Sequence, residues 1–203
     1  MIRVLIAGEG ANELGDKLKG DRLEGERATG GGVIEAFMTK VRGGGWQIRD
    51  AIRWRDVPKL RANAPGDGDT RTVRVLAQRA AELGCNALVF LRDRDGSQAR
   101  ERAIRDAIKE ARRGTVVIAG GVPIEMLECW LLALRKEPSA HADPDCVASL
   151  EARHGVPRKR TIAMVQLVRR ARLLDASPDA RSLWRWLRLV AQGLSVKIPK
   201  RWP

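Results

Sequence analysis

An apolar run ends in two carboxylates one residue apart. Residues 87–98 read ALVFLRDRDGSQ, with Asp93 and Asp95 directly after the run Ala87 to Leu91. In an extended segment, residues i and i+2 project to the same side. The two carboxylates would then sit close together, repel, and raise each other's pKa unless a cation lay between them. Oxygen-only donors suit Mg²⁺ or Mn²⁺. Arg92 and Arg94 are expected on the opposite side as balancing charge. The same letters also suit a surface turn, because Asp-Gly is a common turn dipeptide.

Further carboxylates follow other strand-like runs. Glu9 and Glu13 lie in AGEGANELG, after the first run, and Glu125 and Glu128 lie in GGVPIEMLECW, after another. All these groups fall beyond the carboxyl ends of strands, where open parallel sheets bind ligands. A dinucleotide loop is rejected for AGEGANELG. Its glutamate would repel a pyrophosphate, and its third glycine is displaced to Gly15.

The elements that must position these acids alternate. Strands are expected at 2–8, 46–54, 86–93 and 115–121 from their apolar runs. Helices are expected at 32–42, 70–84, 97–114 and 123–138. Val73, Leu76, Ala77, Ala80 and Leu83 share one helical face, and Ser97 is a plausible N-cap. Residues 15–32 read as a polar, Gly-rich loop or a frayed helix, and 63–69 as a turn cluster. Buried strands alternating with helices predict an α/β fold with a mostly parallel sheet covered on both faces. After Pro138 the pattern turns helical and basic. The predicted organisation is an α/β domain over 1–138 and a helical extension over 139–203 packed upon it.

Of the formal net charge of +13, residues 151–203 carry +10. A basic tail on a near-neutral body suits a polyanion, and nucleic acid is the expected partner, DNA ahead of RNA. Arg158, Lys159 and Arg160 precede a helix start, where cations oppose the dipole and a phosphate would satisfy them. Arg169 and Arg170 near its end complete the expected contact set, with salt-sensitive affinity. In SLWRWLRL, Trp184 is expected to face the core and Trp186 an edge or partner, with base stacking as the alternative. Cys85, Cys129 and Cys146 form an odd count without a CxxC pair, so no disulfide framework is expected. Cys129, His141, Cys146 and His154 fit no zinc-finger spacing. The longest late apolar run, CWLLAL, is far below the roughly 20 residues a bilayer span needs. A cytoplasmic protein without membrane contact is expected.

A glutamate pair after the first strand, followed by DxD after a later one, resembles the TOPRIM fold; Glu9, Glu13, Asp93 and Asp95 carry the match. The EGxxE spacing is similar to that of overcoming-lysogenization-defect nucleases. LECWLLAL (127–134) resembles an ExWLLAD signature in small TOPRIM-like bacterial proteins, through Glu128 and Trp130; Leu134 departs from its aspartate. The resemblance spans residues 2 to 137. It implies metal-dependent phosphodiester chemistry. Asp93 and Asp95 would be metal ligands, Glu9 a ligand or general acid/base, Glu13 part of a second site, and Glu128, with Glu125 behind it, an approach from the helix. It also implies a separate ATPase partner and a setting in phage or mobile-element defence. A homodimer is left open.

The chain has no tyrosine, so it cannot hold cleaved DNA covalently as a topoisomerase does. Hydrolytic cleavage remains. Two alternatives stand beside it. One is a non-catalytic nucleic-acid-binding or regulatory subunit. The other is a haloacid-dehalogenase-like phosphatase, because LVFLRDRDGS matches hhhhDxDG[ST] with Asp93 as nucleophile and Asp95 as general acid. Its partner motifs after later strands are missing.

Overall fold

The computed structural model describes residues 1–15, 31–58, 66–111, 114–123, 126–137, 140, 143, 145–157, 160–200 and 202. Four strands form one sheet: β1 (Ile2–Gly8), β2 (Trp46–Arg53), β3 (Ala87–Leu91) and β4 (Val117–Gly121). Their spatial order is β2-β1-β3-β4, and every neighbouring pair is parallel. The α/β class and the parallel sheet flanked by helices are therefore as the alternation of runs implied.

Parallel strands need crossovers, and helices supply them. α2 (Val33–Arg42) joins β1 to β2, α3 (Gly68–Glu82) joins β2 to β3, and α4 (Gln98–Ala111) joins β3 to β4; a single turn, α1 (Ala11–Leu14), follows β1. Local chemistry starts two of these helices. The Asp67 carboxylate accepts from the Thr70 N–H at 2.7 Å, and the Ser97 hydroxyl accepts from the Arg100 N–H at 3.2 Å. Both satisfy amide donors that a first helical turn leaves orphaned.

Strand alternation sorts the core into two layers. Val4, Ile6, Val89 and Leu91 face a layer built with α2, α5 (Leu127–Ala133), α7 (Thr161–Arg170) and α8 (Arg181–Gly193). Leu5, Ala7, Leu88, Phe90 and Ile118 face the other layer, against α3 and α4. The central strands β1 and β3 are apolar on both faces because both faces are covered. β2 is an edge strand and only half buried, with a bulge that moves the partner of Leu5 on to Asp50. α6 (Cys146–His154) packs on α5. No described helix is long and apolar enough to cross a membrane.

Three expectations change. α5 begins at Leu127, after an extended Met126, instead of at Pro123. Cys129 and Cys146 form a disulfide that ties α5 to α6, while Cys85 is free and buried. An odd cysteine count does not preclude one bridge, and the pairing depends on a helix packing invisible in spacing. Trp186, expected at an edge, is completely buried, and its indole N–H donates to the Ala119 carbonyl at 3.0 Å. Phe37 meets it edge-on at 5.3 Å and Trp130 lies 5.2 Å away. Trp184 is buried too, and its N–H donates to the Ser177 carbonyl. α8 packs on β4 and on α2, and its buried residues form one wide arc with Trp184 and Trp186 at its two edges, so both rings are covered. Neither ring is exposed for stacking on a base.

Candidate functional site

The strand order makes a topological switch. From β1 the chain crosses to β2 by α2 on one face, then returns past β1 to β3 by α3 on the other. The crossovers diverge at the carboxyl ends of β1 and β3, which leaves a crevice there. Glu9 follows β1 and Asp93 follows β3, so both stand at its mouth.

Their contacts bridge the two strands. The Glu9 carboxylate accepts the Asp93 N–H at 3.1 Å and a guanidinium hydrogen bond from Arg92. Glu13, on the single turn α1, is buried, and one of its oxygens accepts the Gly10 N–H at 2.8 Å. Gly8 makes this possible: a Cβ there would lie 2.6 Å from the Cβ of Glu13. At Gly32 a Cβ would lie 2.2 Å from the Glu13 carbonyl oxygen, so the start of α2 can close on α1 only without a side chain. Glu128 stands in the first turn of α5 and is half-buried.

The electrostatics show which acids share the crevice. Burial pushes the Asp93 carboxyl up to about 8, and the negative charges of Glu9, Glu13, Glu128 and Asp95 push in the same direction. Glu13 is also raised, by burial first; hydrogen bonds from its own backbone and that of Gly10 oppose this, and Glu9 and Glu128 add to it. Asp93 and Glu13 are thus each pushed toward the neutral form by burial and by the nearby charges of Glu9 and Glu128.

Asp95 departs from the expected geometry. Its φ is +49° and that of Gly96 is +73°, so the segment leaves the extended conformation at once. The turn closes where the Ser97 N–H donates to the Arg94 carbonyl at 2.9 Å. The i, i+2 rule therefore fails here. The Asp95 side chain is 57% exposed and pairs with Arg100. Arg92 also differs, since it turns back to Glu9 instead of away from the acids.

An unforeseen network holds this turn. Arg100 on α4 donates to the Asp93 carbonyl at 2.9 Å and the Arg94 carbonyl at 3.2 Å. Its Nε bonds Asp69 at 3.2 Å, and Asp69 also faces Arg92 at 3.6 Å and accepts the Trp54 N–H at 3.1 Å. The Arg92 guanidinium lies 5.7 Å from the centre of the Trp54 ring. No local pattern singles out Asp69, Arg100 or Trp54, because Asp69 bonds Trp54 from 15 positions away and Arg100 from 31.

The basic segment meets this region at one end. Thr161, the first residue of α7, donates its hydroxyl to Asn12 at 2.9 Å, and Asn12 lies between Glu9 and Glu13. Arg160 precedes Thr161 and so adjoins the acidic crevice. Arg169 and Arg170 are exposed at the opposite end of α7, and so do not share an address with Arg160. Glu125, Arg158, Lys159 and His141 lie outside the described residues, as do 16–30.

The donors are all oxygens, as Mg²⁺ or Mn²⁺ requires, and their mutual repulsion is of the kind a cation relieves. Among the described residues, no three His, Cys, Asp or Glu side chains are grouped as a metal-holding set in this arrangement. Arg92 supplies the positive charge next to Glu9. No protein-family model matches the chain, and no curated protein or solved structure does either.

Proposed function

We propose that this chain is a TOPRIM-like nuclease that hydrolyses nucleic-acid phosphodiester bonds with Mg²⁺ or Mn²⁺. One observation carries the reading: at the switch point the Asp93 N–H donates to the Glu9 carboxylate, and burial with the charges of Glu9, Glu13 and Glu128 pushes the Asp93 carboxyl up to about 8. Asp93 and Glu9 would hold the ion, with Glu13 and Glu128 completing the oxygen set. A divalent ion, when bound, supplies charge to a phosphodiester and acidifies a water. Glu9 keeps 34% of its side chain exposed and would hold the ion or move a proton. Arg100 fixes the Asp93 turn by its carbonyls, which orients the carboxyl without competing for it. Arg160 would meet a phosphate entering the crevice. Asp95, paired with Arg100, would join the ligands only after that pair opened. Action beside a separate ATPase in phage or mobile-element defence is carried by the family resemblance alone.

The pairing of Arg92 with Glu9 favours a second reading. An arginine already balances part of the acidic charge, as a non-catalytic nucleic-acid-binding subunit would retain it. One experiment separates the two. The chain is incubated with supercoiled plasmid and with single-stranded DNA in Mg²⁺ or Mn²⁺, beside Asp93→Ala and Glu9→Ala. The nuclease reading expects cleavage that falls by at least about a hundredfold in both variants. Cleavage that persists in both removes the site. Binding without cleavage supports the subunit, and turnover of a small phosphomonoester supports the phosphatase.

A further inference from the structure

A second feature lies beside the acidic crevice. Along the free edge of β4, between α4 and α8, runs a groove of about 640 Å³. Its floor includes Ile104, Ile108, Trp184 and Leu189, together with the backbone of Gly120 and Gly121. Its walls are cationic. Arg105 and Lys109 line it from α4, and Arg181, Arg185 and Arg188 line it from α8. All five are exposed. Each set repeats every three or four residues, so each forms a single stripe along its helix. Successive charges on a stripe stand about 4.5–6 Å apart along the axis.

The charge is barely neutralised. Glu101 is the one acid among the described residues of the lining. Lys109 shares Asp106 at 3.4 Å, and Arg188 reaches the Trp202 carbonyl at 3.3 Å. Arg105, Arg181 and Arg185 have no carboxylate partner among the described residues. Two facing cationic stripes, with Arg105, Arg181 and Arg185 lacking a carboxylate partner among the described residues, lie over an apolar floor and complement an anionic chain with an apolar side. The groove also leads to the acids. Glu101 on its wall pairs with Arg94 at 3.8 Å, inside the RDRDG turn, and the Arg94 N–H donates to the Pro123 carbonyl just past the end of β4.

We infer that this groove is the track for one strand of nucleic acid, with phosphates on the two arginine stripes and its end at the Asp93 crevice. The inference deepens the nuclease reading by naming a single strand as the substrate class, and it rests on that reading for the direction of the track. A concavity of this size is on the scale of a ligand pocket, so it admits one backbone and not a duplex. Neither tryptophan offers an exposed face, so the contact is to phosphate and sugar and carries little sequence preference.

Binding is measured by fluorescence anisotropy in EDTA, with a short labelled oligothymidylate and with a labelled duplex. The full chain is compared with Arg105→Ala/Arg185→Ala, Arg105→Lys/Arg185→Lys and Arg169→Ala/Arg170→Ala. The single strand should bind more tightly than the duplex. The groove alanine pair should weaken it about tenfold and reduce the salt slope by about 1.4, while the lysine pair stays within about twofold. The α7 pair should also stay within about twofold. Tighter duplex binding, equal loss from the α7 pair, or an unchanged groove alanine pair would overturn the track. So would polyglutamate competing as well as unlabelled oligonucleotide, which would assign the groove to an acidic protein. Groove-dependent binding without cleavage in Mg²⁺ or Mn²⁺ would overturn the nuclease reading and leave the track standing.

Discussion

The Asp93 N–H donates to the Glu9 carboxylate at 3.1 Å across 84 residues of sequence. This contact joins the two central strands at their carboxyl ends and sets the spacing of the acidic crevice. It also places a second carboxylate against a side chain whose own carboxyl is already starved of water.

A pH dependence follows from that crowding. The unfolded chain loses the Asp93 proton near 3.8, while the folded protein keeps it to about 8. Between those values the folded state binds more protons, so the Asp93 contribution to stability falls as pH rises. The melting temperature in EDTA should therefore decline across this window, and Asp93→Asn should flatten the decline. Mg²⁺ should raise the melting temperature more at the upper end of the window than at the lower. A wild-type profile identical to that of Asp93→Asn would contradict the crowding.

Gly8→Ala should disturb the crevice from beneath. The added methyl would meet the Glu13 Cβ at 2.6 Å, in a fully buried position with little room to yield. A loss of about 1–3 kcal/mol is expected from such overpacking, read by urea denaturation. The stabilisation by Mg²⁺ should shrink as Glu13 is displaced.

Trp186→Ala should be among the most damaging core changes. The ring is wholly buried between Phe37, Trp130 and β4. Truncation of this kind costs about 3–5 kcal/mol. Equilibrium unfolding should show it, whereas Arg185→Ala, one position away and exposed, should change stability by less than about 0.5 kcal/mol.

The disulfide predicts a thiol count. Unfolded without reductant, the protein should offer one reactive thiol, Cys85, since Cys129 and Cys146 are bonded. Reductant should expose all three and lower stability by about 3 kcal/mol for a bridge of this loop length. Three thiols before reduction would contradict the pairing.

Several features were legible in the chain itself. VLIA before Gly8 and ALVFL before Arg92 are apolar at every position, which marks strands covered on both faces. The spacing of Val73, Leu76 and Ala80 marks one buried helical face, and Ser97 marks a helix start. Placing Glu9, Glu13, Asp93 and Glu128 after strand ends needed only the alternation of runs, because chain direction in a parallel sheet sends every such loop to one edge. Local patterning of this kind is written in neighbouring residues.

What needed the tertiary structure is what joins distant residues or breaks a local rule. The order β2-β1-β3-β4 creates the crevice, and it depends on pairings between strands far apart in sequence. The left-handed φ at Asp95 cancels the same-side rule and hands that carboxylate to Arg100. Arg92 turns to Glu9, and Asp69 joins Arg92 and Arg100, because folding brings the first turn of α3 beside the β3 turn. Trp186, at one edge of the buried arc of α8, is covered because folding brings Phe37, Trp130 and the Ala119 carbonyl against it. The residues alone determined which acids face one edge; only the packed chain decided which of them meet, since long-range contacts are set by how covered surfaces fit together.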